Sequence, residues 1–249
     1  MIRYFIELAY DGTEYFGWQR QKNAVTVEET ITDVLRRLLQ DSALEIVGCG
    51  RTDTGVSATD YFAHFDTERG IDCGFLSELP RKCNMMLPKD ISIRRIFQCS
   101  MHARFDAVSR EYRYRISRKK DPFNRHAWTV YHPLDVGIMK EGARALQQYH
   151  DFTSFAKLHG SARTNLCTIY GADWEEHEDG ELVFTISANR FLRGMVRAIV
   201  GTMADLGRGK ITLQRFREII ESRNRALASM QAPAKGLMLT SVKYPDSNQ

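Results

Sequence analysis

The segment Gly50-Arg51-Thr52-Asp53-Thr54-Gly55-Val56 presents a carboxylate and a guanidinium close together on a short stretch bounded by glycines. An ionised carboxylate in such a place can attack an electron-poor atom, stabilise positive charge or accept a proton. The neighbouring arginine can clamp phosphate or form an ion pair. The plainer alternative is a tight turn in which Asp53 bonds its own backbone, a common use of Asp beside Gly. The run Leu44 to Cys49 reads as a strand leading into this loop, and strand ends are where rigid scaffolds display chemical groups. The two glycines permit backbone angles that other residues resist.

A second set of reactive or charged residues lies further on. Basic residues gather at Arg94-Arg95, from Arg110 to Arg115, at Arg118-Lys119-Lys120, and at Arg190, Arg193 and Arg197, often with Tyr or Phe between them. Cations for phosphate interleaved with rings for bases suit a nucleic-acid surface. Solvated strand faces would look the same in sequence. Net charge is +4, mildly basic, and weak support for a polyanionic partner taken alone. Five cysteines, none at the short spacing of zinc or redox motifs, read as free thiols. The seven histidines carry no HExxH-like pattern, so no metal site is expected. The apolar runs are too short to span a bilayer and no signal peptide is visible, which implies a cytoplasmic protein and no membrane partner.

Elements able to position these groups follow from periodicity. Ile2 to Tyr10 reads as a strand ended by the turn Asp11-Gly12-Thr13. Thr26-Val27-Glu28-Glu29 matches a capping box, and Val27, Ile31, Val34, Leu35 and Leu38 recur at helical spacing after it. Further strands are expected at residues 61–65 and 91–97, with a helix over 75–82 between them. Glu111 to Ile116 alternates strictly, which places Tyr112, Tyr114 and Ile116 on one face and arginines on the other. Beyond it come a helix over 134–149 and strands over 168–175 and 182–188. A long helix is expected from near Asn189, on which Arg193 and Arg197 share a face. A helix over 213–221 and a strand over 237–243 complete the chain. Strands interspersed with helices in both halves make the fold α+β, divided here as 1–105 and 106–249.

Taken in order, the motifs say more than any of them singly. Tyr10-Asp11-Gly12-Thr13, Gly17-Trp18-Gln19-Arg20-Gln21, the GRTDTGV loop, His102-Ala103-Arg104-Phe105, Arg110 to Tyr114, Phe191-Leu192 leading to Met195-Val196-Arg197, and Gly236 to Leu239 together resemble the tRNA pseudouridine synthase A (TruA) family over nearly the whole chain.

That resemblance implies two similar halves, each an antiparallel-rich sheet with helices on one face, meeting at a central RNA-binding cleft. It implies isomerisation of uridine to pseudouridine in the anticodon stem-loop of tRNA by base flipping, with no cofactor, by a homodimer. The catalytic aspartate falls on Asp53, the tyrosine against the target base on Tyr112, and the arginine paired with the aspartate on Arg197. Arg51 matches the position linked to flipping. Substrate contacts carry over to Met101, His102, Ala103, Arg104, Phe105, Lys119, Lys120, His159 and Arg163. The chain departs from the family at Ser57, where many relatives have His, and at Cys167, where they usually carry Arg. An RNA-binding protein without turnover and a glycosylase are the competing readings. The first sits poorly with intact Asp53, Tyr112 and Arg197, and the second calls for another carboxylate in a matching motif, which is absent.

Overall fold

The computed structural model describes residues 1–157 and 164–245. Its internal contacts divide the chain into two compact units, Met1–Val108 with the stretch from Leu239 onward, and Ser109–Met238. The expected residues His159 and Arg163 lie outside the described part of the chain. Among the described residues no helix is long and apolar enough to cross a membrane.

In the first unit, strand β1 (Ile2–Tyr10) lies between β4 (Ile91–Gln98) and β3 (Ser57–Thr67), antiparallel to both. The short β2 (Ile46–Gly48) pairs antiparallel with β3, placing Ile46 opposite Phe65. The last strand, β9 (Leu237–Lys243), adds beside β3. Tyr4, Ile6, Leu8 and Tyr10 share one face and are all buried; on the other face Phe5 is buried too, while Arg3 and Glu7 keep partial exposure beside Asp66 and Arg95.

Helix α1 (Val27–Leu39) begins where the sequence predicts, and the Thr26 hydroxyl accepts from the Glu29 N–H. The reciprocal half of the box is diverted, because the Glu29 carboxylate pairs with Arg20 at 3.1 Å. Val27, Ile31, Val34 and Leu35 are buried, as their spacing requires. Helix α2 (Cys73–Met86) packs on β4, tied by the Asn84 amide, which bonds both the N–H and the carbonyl of Ile93 at 2.8 Å.

The second unit has a sheet in which β5 (Ser109–Ser117) runs antiparallel to β8 (Leu182–Ala188), and β8 antiparallel to β7 (Ile169–Glu176). A two-residue strand, β6 (Trp128–Thr129), joins β5 in parallel. The register aligns Tyr114, Phe184 and Trp174 across the three strands, and all three side chains are fully buried. Helices α3 (Val136–Leu146), α4 (Met195–Gly207) and α5 (Leu213–Glu221) pack against one another, and α3 lies on β7.

The start of the helix that carries Arg197 differs from the sequence expectation. Helix α4 starts at Met195, not near Asn189, because Gly194 takes φ +69° and breaks any helix through it. Residues 189–193 are therefore a loop, and Arg193 does not share a helical face with Arg197.

Candidate active site

Asp53 sits on the loop between β2 and β3, and that loop is held from both sides. At its entry the Tyr61 hydroxyl donates to the Gly50 carbonyl, and the Thr52 hydroxyl bonds the Tyr10 hydroxyl at 2.9 Å in a buried position. At its exit the Val56 N–H returns to the Asp53 carbonyl at 3.1 Å, and the Gly55 N–H donates to the Tyr15 carbonyl at 3.2 Å. The aspartate itself is half-buried, and Arg51 is exposed.

Glycines make this approach possible at particular points. Gly17 has φ +88°, and a methyl group there would collide with the Thr52 carbonyl, so the Asp53 loop rests directly on the Gly17 backbone. Gly55 has φ +78°. Gly50 does not fit the sequence expectation: its φ is not in the left-handed region, and a Cβ there would meet nothing within 4 Å.

Beneath the loop lies an aromatic support that the sequence did not announce. Trp18 and Tyr61 stack with centroids 4.1 Å apart, and Tyr10 meets Tyr61 edge-on at 5.5 Å. The Tyr-Asp-Gly-Thr and Gly-Trp-Gln motifs supply two of these rings. Their scaffolding role could have been suspected from aromatics placed next to glycines. Ser57, the departure from the family pattern, is buried and accepts from the Gly12 N–H at 3.0 Å, joining β3 to the turn after β1.

The loop Met101–Phe105 of the same unit is a built structure. Ala103 is fully buried; its N–H donates to His64 Nδ1 at 3.1 Å and its carbonyl accepts from the Tyr244 hydroxyl at 2.6 Å. His102 Nδ1 accepts from the N–H groups of Arg104 (3.1 Å) and Phe105 (3.3 Å), and the Asp106 carboxylate accepts from the His102 N–H at 2.7 Å. Burial pushes the His64 imidazole down to about 4, and the nearby Arg3 guanidinium adds to that. His102 is lowered too, again chiefly by burial. The result presents Phe105, 75% exposed, beside an exposed Arg104, with Met101 and His102 partly exposed.

In the second unit, Tyr112 stands on β5 with the ring of Phe191 edge-on at 5.1 Å. Arg197, in the first turn of α4, donates through Nε to the Ala232 carbonyl at 2.7 Å. The other face of β5 is not the open cationic stripe that the sequence suggests. Arg115 makes a two-pronged bond to Glu181 at 2.5 and 2.8 Å, which keeps the Arg115 guanidinium charged, and Arg113 pairs with Glu111 at 3.5 Å. Arg118 pairs with Glu176 at 2.9 Å, and Arg110 donates to the Asn189 carbonyl. Carboxylates from the β7–β8 hairpin account for much of the apparent charge. Lys119 and Lys120 are exposed at the end of β5. Cys167 is buried, with its thiol pushed up to about 11 by that burial, and so belongs to the core.

The chain is similar to known proteins over its whole length. A family model described as tRNA pseudouridine synthase matches residues 143–245. A Bacteroides thetaiotaomicron protein named tRNA pseudouridine synthase A is 48% identical over 251 residues, covering 99% of this chain and 92% of that one. Proteins of the same name from Bacteroides fragilis (47% over 247 residues, covering 98% and 96%) and Azobacteroides pseudotrichonymphae (46% over 249 residues, covering 99% and 98%) are nearly as similar.

Proposed function

Because the chain belongs to the tRNA pseudouridine synthase A family of RNA isomerases, we propose that it converts uridine to pseudouridine in the anticodon stem-loop of tRNA, with Asp53 as the catalytic carboxylate. The reaction needs the uracil to leave C1′, turn, and rejoin through C5. C1′ becomes electron-poor on the way. Asp53 either attacks or stabilises that carbon, or removes a sugar proton in a route through a glycal; each requires an ionised carboxylate held still.

The observation that carries the reading is the bracing of the Asp53 loop by Tyr10, Tyr61 and the Gly17 backbone, a degree of support that an ordinary surface turn does not need. Following the family resemblance, Arg197 is assigned as the arginine that serves the aspartate, and Tyr112 as the ring laid against the target base. A base within a folded stem must be flipped out to be reached, and Arg51 takes the role of filling the gap. His102, Arg104 and Phe105, with Lys119 and Lys120, are assigned to the RNA. Ala103 serves them through its backbone. A homodimer acting on tRNA in the cytoplasm completes the reading.

The test is tritium release from tRNA labelled at uridine C5. Release by the parent and none by Asp53→Ala supports the proposal. Free uracil among the products, or no release from any tRNA, overturns it.

A further inference from the structure

Residues 228–236 of the second unit run as an irregular strap along α4, and Arg197 lies under it. The strap is fixed first by Arg225, whose Nη1 donates to the carbonyls of Ala228 (3.1 Å) and Ser229 (3.2 Å). The Ser229 N–H then donates to the buried Thr202 hydroxyl at 3.2 Å. Next, the Met230 carbonyl comes down so closely on Gly201 that any Cβ there would collide with it. Gly201 is helical, with no left-handed φ to explain a glycine, so close approach is what excludes a side chain.

The approach has a specific product. With the strap seated, the Ala232 N–H donates to the Arg197 carbonyl at 2.9 Å while the Ala232 carbonyl accepts from Arg197 Nε at 2.7 Å. One strap residue thus grips both the backbone and the side chain of Arg197. Beyond it the Pro233 carbonyl accepts from the Tyr114 hydroxyl at 2.7 Å, which anchors the far end to β5.

An unrestrained arginine gives up side-chain rotamer entropy when it is fixed. Binding Nε to a rigid carbonyl removes much of that freedom beforehand and restricts the plane of the guanidinium. We infer that the strap sets the orientation of Arg197 for the reaction, with Ala232 as the gripping residue and Gly201 as the positioning residue that admits it. This rests on the assignment of Arg197 above, and it adds residues that make no contact with RNA chemistry themselves.

A double-mutant cycle separates positioning from simple support of the fold. Single-turnover isomerisation of tRNA would be measured for the parent, Gly201→Ala, Arg197→Ala and the double variant, with enzyme in excess and melting recorded for each. Gly201→Ala is expected to lower the rate roughly 10- to 100-fold with tRNA affinity within about threefold, and to cause no further loss in the Arg197→Ala background. Equal fold-losses in both backgrounds, or a parental rate for Gly201→Ala, would overturn the positioning role while leaving Arg197 in place. A parental rate for Arg197→Ala would instead remove the assignment on which it rests. Should Gly201→Ala fail to fold, Thr202→Val, which removes the acceptor for Ser229 together with the hydroxyl's own bond to the Ala198 carbonyl within α4, enters the same cycle with an expected loss of several-fold that is again silent when Arg197 is absent.

Discussion

The Ala103 N–H donates to Nδ1 of His64, so the loop carrying His102, Arg104 and Phe105 depends on an imidazole that is unprotonated at that nitrogen. Arg3 and Asp66 flank the ring, and His102 and Asp106 face it from the loop. The folded-state value of about 4 lies below the ordinary value of 6.5. Between those two values the unfolded chain binds more protons. The stabilisation is therefore complete above pH 6.5 and lost as pH falls toward 4, by up to about 3 kcal/mol. His102, lowered in the same direction, adds to the loss. Urea unfolding of the whole protein from about pH 7 to about pH 4 should show this slope, and His64→Asn, which keeps an acceptor but cannot titrate, should flatten it. An unchanged slope in His64→Asn would refute the account.

Replacing Asp53 by Asn preserves size and one acceptor oxygen but not charge. Isomerisation should fall at least about 10³-fold with tRNA affinity nearly kept, since the lost interaction belongs to the transition state. Rate and filter-binding measurements on one preparation check both halves. A loss expressed mainly in affinity would mean that Asp53 binds RNA and does not act on it.

Tyr10→Phe removes one partner of the buried Tyr10–Thr52 hydrogen bond and leaves the Thr52 hydroxyl wanting. A cost of about 1–2 kcal/mol is expected, together with a lower kcat at little-changed KM, because the Asp53 loop loses one support. Thermal melting and steady-state kinetics test this; a stability loss with parental kcat would uncouple the support from the chemistry.

RNA affinity should distinguish the exposed lysines from the paired arginine of the β5 strand. Lys119→Ala with Lys120→Ala should weaken tRNA binding and reduce the slope of log affinity against log salt by roughly 0.7–0.9 for each phosphate that is no longer neutralised. Arg115→Ala should leave that slope alone and destabilise the fold, since the buried Glu181 would lose its cation and keep the Asn124 amide as a donor. A slope change in Arg115→Ala would show that this arginine leaves Glu181 for RNA.

What the sequence could reveal depended on whether a feature was carried by side-chain type. Helix α1 was legible because Thr26 caps it and its apolar residues repeat at helical spacing; β5 was legible because its alternation is strict. The start of α4 was not, since Phe191, Leu192 and Met195 continue the helical repeat through Gly194, where the backbone turns left-handed. The pairing of Arg115 with Glu181 was hidden because the carboxylate arrives from a distant hairpin. The strap over Arg197 was hidden more thoroughly: its grip is made by backbone groups against a glycine, and neither leaves a recognisable residue pattern.

The first unit is discontinuous in the chain, and β9 reaches the side of β3 only after the whole second unit has been passed. During synthesis β3 must wait with that edge uncovered, although its Asp60 carboxylate is destined for the Val242 N–H and its Phe62 ring for Tyr244. An uncovered strand edge beside aromatic side chains invites pairing with other chains. Nascent chains stopped before Leu237 should thus be aggregation-prone even with every residue of the Asp53 loop present, so the unit that holds the carboxylate matures last although it is made first.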